Sequence, residues 1–115
     1  MMTYKLSKKI LLVAFVGLCG FSVNTLADGP GWTIESNVEL IVTVINGGIN
    51  VKLSPDLNGC TSQSGYGEHF ASIYPDHAGV SLFQSNLLAA MMSGKKVRLY
   101  LMDSTCKVGE MIIYE

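Results

Sequence analysis

The chain has 115 residues with 8 basic and 9 acidic side chains, and 49% of its residues are hydrophobic. Three of the bases, Lys5, Lys8 and Lys9, precede Asp28 while no acid does, so residues 28–115 hold five bases against nine acids, a net charge near −4. No basic cluster remains in that stretch, which excludes an electrostatic grip on nucleic acid or anionic lipid.

Behind the three lysines, Ile10 to Phe21 is an uncharged apolar run, and a more polar stretch follows it to Thr25-Leu26-Ala27. This is the pattern of a cleavable export signal, with small residues at the two positions a signal peptidase reads. The expected leader is 1–27 and the mature domain 28–115, secreted or periplasmic. The run is well short of the about 20 residues that span a bilayer, so no membrane span is expected after cleavage. A lipoprotein reading would use Cys19, but Leu18 stands where that processing wants a small residue.

The remaining residues suffice for one domain that buries somewhat over 60% of its unfolded surface. Of the three cysteines only Cys60 and Cys106 follow the leader. An exported domain meets an oxidising compartment, so a Cys60–Cys106 disulfide is expected. Closing a loop of this size contributes about 4 kcal/mol by chain entropy. A reactive thiol pair or a metal site is the alternative, yet there is no C-x-x-C, and neither histidine stands at ligand spacing from a cysteine.

Asp28-Gly29-Pro30-Gly31 reads as an irregular arm leading to Trp32. Val38 to Ile45 is β-branched and predicts a strand with Val38, Leu40, Val42 and Val44 on one face. Asn46-Gly47-Gly48 supplies a hairpin turn, and Ile49, Val51 and Leu53 then alternate with Asn50, Lys52 and Ser54 as a half-buried strand. Pro55 to Gly67 reads as a loop pinned at Cys60. A short strand is expected at Phe70 to Tyr74, stopped by Pro75. From Ala78 to Ser93, Val80, Phe83, Leu87, Leu88 and Met91 recur at helical spacing, with Asp76 as a candidate cap and Gly94 as the stop. Val97, Leu99 and Leu101 alternate in another strand, Asp103-Ser104-Thr105 turns, and Cys106 to Tyr114 makes the last. The expected architecture is mainly β with one α-helix, a small five-stranded OB-like barrel with the helix between strands 3 and 4.

No catalytic constellation stands out. His69 and His77, with Glu68 and Asp76 beside them, lack a nucleophile or a third ligand at recognisable spacing, and no G-x-S-x-G elbow occurs. The six methionines are core and surface residues rather than a cofactor box. The expectation is therefore no enzyme, no cofactor and no metal. Thr61, Ser62, Gln63, Ser64 and Tyr66 offer hydroxyls, an amide and an aromatic face, groups that suit a sugar without requiring charge. A solvated disulfide loop is the plainer account of the same composition. Met92, Met102 and Tyr100 could together form a sticky surface for self-association.

Asn86-Leu87-Leu88-Ala89-Ala90-Met91-Met92-Ser93-Gly94-Lys95-Lys96-Val97-Arg98-Leu99-Tyr100, with Trp32-Thr33 nearer the start, resembles the helix, turn and strand of B subunits in the subtilase-cytotoxin and pertussis-like toxin group. That resemblance implies an OB-like barrel and a homo-oligomer that binds cell-surface glycans, with Thr61 to Ser64 as the corresponding loop. The alternative from the residues alone is a secreted partner of another polypeptide.

Overall fold

The computed structural model describes residues 28–115. The expected leader, its cleavage site and Cys19 lie outside the described residues. Six strands and one helix follow in order: β1 (Gly31–Trp32), β2 (Asn37–Thr43), β3 (Ile49–Ser54), β4 (Phe70–Ile73), α1 (Val80–Ser93), β5 (Val97–Leu101) and β6 (Val108–Ile113). They form two three-stranded antiparallel sheets, β1-β5-β6 and β2-β3-β4.

The expected five-stranded barrel is therefore corrected in two respects. The sheets do not close into one ring but meet at two isolated bridges, Ser36 with Val97 and Ser72 with Lys107. The helix falls between the fourth and fifth strands of six, because the arm expected to be irregular adds β1 to the edge of β5. What holds that arm is backbone pairing: Thr33 N donates to Leu99 O at 2.9 Å and Ser36 N to Val97 O at 2.9 Å. Arg98 Nε adds a bond to Thr33 O at 2.6 Å. Residues with glycine and proline among them thus join a sheet because β5 offers unpaired donors and acceptors.

The β2–β3 hairpin turns where expected. Gly47 takes a φ of 90°, which glycine adopts without a steric penalty. Val44 N donates to Gly48 O, and Asn46 Oδ1 accepts from Gly48 N at 2.8 Å. The facing of β2 differs from the expectation, however. Pairing slips between Val38, opposite Leu53, and Leu40, opposite Lys52, so Glu39 is an extra residue and the alternation reverses there. Leu40 is consequently exposed, while Ile41, opposite Val51, packs on the core. The bulge also sets Glu39 beside Lys52, whose Nζ lies 2.7 Å from Glu39 Oε1 and 3.0 Å from Asp56 Oδ1.

Helix α1 buries Phe83, Leu87 and Ala90, with Val80 and Met91 packed at the margin. Leu88 faces outward, because the buried stripe is only Phe83, Leu87 and Ala90, with three exposed residues between the first two and two, Leu88 and Ala89, between the last two. Gly94 ends the helix with a φ of 71° and donates its N–H to Ala90 O. The helix lies on β2 and β6, one strand from each sheet. Ile49, Val51, Leu53, Ile73, Leu99, Leu101 and Val108 fill the space between the sheets. Among the described residues no helix is long and apolar enough to cross a membrane.

Cys60 and Cys106 are bonded, with Cα atoms 5.2 Å apart. Cys106 is not in the last strand as expected. It occupies the turn before β6 with a φ of 67°, and its N–H donates to Asp103 O. The disulfide therefore joins two loops, closing the long connection after β3 onto the β5–β6 turn.

Candidate functional site

The loop singled out for hydroxyl and amide chemistry divides in two. Gln63 is turned inward: Nε2 donates to Ile49 O at 3.2 Å and Ile73 O at 3.1 Å, and Oε1 accepts from Asn46 Nδ2 at 2.9 Å. Its backbone carbonyl accepts from Asn50 Nδ2 at 2.9 Å, and Ser72 Oγ bonds both Gln63 N and Asn50 Oδ1. Asn50, a polar residue expected on the open face of β3, is fully buried by this loop. Thr61 is exposed, with its N–H donating to Thr105 O. Ser62 is half-buried, and its Oγ is enclosed without a hydrogen-bond partner. Ser64 is exposed in the left-handed region with a φ of 57°. Tyr66 is exposed, and its ring meets Phe70 edge-on at 5.7 Å.

A second region assembles on the outer face of the β1-β5-β6 sheet. The register places Trp32 opposite Tyr100 and Tyr100 opposite Glu110, so one row crosses all three strands. The Trp32 and Tyr100 rings meet edge-on at 5.3 Å, and the Arg98 guanidinium lies 5.9 Å from the Trp32 ring centre. Both contacts suit the ring quadrupoles, whose faces attract cations and ring edges.

This row runs into a cleft of ≈ 380 Å³ walled by Tyr74, Asp76, His77, Tyr100, Met102, Lys107 and Glu110. Tyr74 directly follows β4 and Lys107 directly precedes β6, and the Ser72–Lys107 bridge brings them together. Lys107 Nζ stands 5.4 Å from the Tyr74 ring centre. Among the described residues no hydrogen bond occupies the hydroxyls of Tyr74 and Tyr100 or the carboxylates of Asp76 and Glu110. The cleft combines two aromatic rings, two hydroxyls, two acids and one base. Its volume lies at the lower end of the about 300–1,000 Å³ that small-ligand pockets span.

The histidines are both tied to backbone. His69 Nδ1 lies 2.7 Å from Leu57 O. His77 Nε2 lies 2.9 Å from Gly109 O, and its Nδ1 accepts from Gly79 N at 2.9 Å. Among the described residues no three histidine, cysteine or acidic side chains converge to hold a metal ion.

Tyr74, Lys107, Glu110 and Trp32 were not singled out as ligand residues by sequence reasoning. The one local signal for this face lies in β5, where Arg98 and Tyr100 occupy the outward positions of a strand whose Val97, Leu99 and Leu101 point in. Tyr74 precedes Pro75 and reads as the end of a strand, with nothing local to connect it to residue 107.

No family model matches the chain, and neither the curated proteins nor the solved structures contain a match to it. The fold and the cleft define a small disulfide-closed β domain with one helix and a ligand-sized recess on an aromatic sheet face.

Proposed function

We propose that this chain is a non-enzymatic secreted or periplasmic binding domain that takes a glycan along the Trp32–Tyr100 row and into the Tyr74–Lys107 cleft. The observation that carries it is the cleft itself, where among the described residues two tyrosine hydroxyls and two carboxylates hold no hydrogen bond. Aromatic faces cover the apolar face of a pyranose, and hydroxyls and carboxylates match sugar hydroxyls. Lys107 adds a cation for an acidic substituent. The disulfide supports the export reading, since such bonds persist in oxidising compartments. The solvent-facing hydroxyls of Thr61, Ser64 and Tyr66 offer a second patch, whereas Gln63 holds the loop from beneath. A glycan array probed with the oxidised 28–115 domain tests the proposal: retention of a defined set of sugars supports it, and silence across the array removes it.

A second reading is a polypeptide partner, including another copy of this chain. It is favoured by α1, which has no charged residue from Val80 to Ser93 and exposes Leu82, Leu88 and Met92. Sedimentation of the purified domain and co-purification from the native host separate these outcomes. A monomer with no stoichiometric partner counts against this reading.

A further inference from the structure

His77 forms part of the cleft wall, yet both of its ring nitrogens are committed elsewhere. Gly109 O can only accept, so Nε2 carries a hydrogen; the Gly79 N–H can only donate, so Nδ1 is bare. The two bonds select one neutral tautomer. The ring also meets Phe83 edge-on, with centres 5.0 Å apart, at the first turn of α1. Helix α1 has no side-chain cap, and Gly79 is its N-cap residue. One imidazole thus joins the Asp76–Gly79 turn, the start of the helix and β6.

A further proton can go only to Nδ1. It converts the acceptor for Gly79 into a donor facing a donor, while the bond to Gly109 survives in charge-assisted form. The charged and titratable groups that line the cleft with the ring are Asp76 on its own turn, Lys107 just before β6, Glu110 on β6, and Tyr74 and Tyr100. The ring's neighbour on α1 is Phe83, and that helix brings no charge. The ion pairs of the described residues engage Lys52, so neither acid holds His77 in an ion pair that could replace the lost bond.

We infer that His77 is an acid-operated latch on the cleft: proton uptake at Nδ1 frees the Gly79 amide, shifts the turn that carries Asp76 and weakens ligand binding. The control of binding rests on the cleft being the ligand site, whereas the latch itself is readable without a ligand.

Proton–nitrogen correlation spectra of the oxidised 28–115 domain, taken across the range from about pH 7.5 to 5 in which imidazoles titrate, provide the test. The Gly79 amide resonance should move with the same midpoint as the His77 ring protons. In His77→Asn the side-chain oxygen can still accept from the N–H two residues on, as in an Asx turn, but no longer titrates. There the Gly79 resonance should hold still, and in His69→Asn it should move as in the wild type. A Gly79 amide that stays fixed while His77 titrates overturns the latch, as does one that moves equally in His77→Asn. For any glycan retained near neutral pH, affinity near pH 5 should fall about fivefold to tenfold in the wild type, the worth of one neutral hydrogen bond, and stay level in His77→Asn. Equal wild-type binding at both pH values overturns the control of the site. A silent array at neutral pH overturns the glycan reading instead, and the amide titration still decides the latch.

Discussion

Gln63 Oε1 occupies the space that a β-carbon on Gly48 would need. The β2–β3 turn and the disulfide loop, fifteen positions apart in the chain, are fitted to one another at that contact. Ile73 O also stands 2.8 Å from the same point, so the crowding includes backbone that cannot rotate away. Gly48→Ala should therefore destabilise the domain by about 1–3 kcal/mol, the usual range for overpacking. Urea unfolding followed by tryptophan fluorescence, with Trp32 as the single reporter, measures it.

Removing the other partner should cost more. Gln63→Leu keeps most of the volume but leaves Ile49 O, Ile73 O and Asn46 Nδ2 without the amide that joins them. Asn46 is exposed and can turn to water, whereas the two buried carbonyls left unpaired cost about 1–3 kcal/mol each, so a loss of about 2–6 kcal/mol is expected. A variant as stable as the wild type in urea would show that water replaces the amide.

The disulfide secures the same loop from its other end. Cys60→Ala with Cys106→Ala should lower stability by about 2–5 kcal/mol, and reductant should act on the wild type alone. Paired denaturation curves with and without reductant read both effects. Because Thr61 N and Thr105 O also pair across this junction, hydrogen exchange at Thr61 should rise in the reduced protein.

Asp103 shapes the turn before Cys106. Its carboxylate accepts from the Thr105 hydroxyl at 2.5 Å and the Thr105 N–H at 2.9 Å, and the hydroxyl bond above all holds its carboxyl below the ordinary range. A carboxyl held down by folding contributes stability above its unfolded value of about 3.9 and loses it as pH falls through the folded value. Asp103→Ala should melt a few degrees lower at neutral pH, and the gap should close in acid. Thermal melts from neutral pH to about pH 2 follow that closure.

Within the cleft, Tyr74→Phe and Tyr100→Phe keep the rings and remove only the hydroxyls. Each should weaken a retained glycan about fivefold to tenfold with little change in stability. Tyr66→Ala should leave the same binding unchanged if the cleft is the principal site. Titration of the three variants with one array-positive sugar makes the comparison.

Local chemistry made several elements legible from the residues alone. The Asn46-Gly47-Gly48 turn, the helix stop at Gly94 and the inward alternation of Val97, Leu99 and Leu101 each depend on backbone permissiveness or periodicity within a few positions. Pairing of Cys60 with Cys106 followed from the expected compartment and from count, since no other cysteine stands after residue 27. The facing of Leu40 was not legible, because one extra residue at Glu39 turns Leu40 outward and Ile41 toward the core, although Val44 is buried as its spacing predicts, and nothing in the composition marks a bulge. Nor was the burial of Asn50, which depends on a loop arriving from residue 63.

The candidate site shows the same division. Hydroxyl and amide groups could be read off Thr61 to Tyr66, but only tertiary placement decided that Gln63 faces the interior while its neighbours face solvent. The Tyr74–Tyr100–Lys107 cleft exists because the Ser72–Lys107 bridge brings together the ends of two strands more than thirty positions apart. The sequence by itself determined turns, helix stop and disulfide, since these depend on local conformational preference and on having one partner available. Sheet closure, strand facing and the cleft were decided by the folded chain, because each depends on which distant backbone supplies the missing hydrogen bonds.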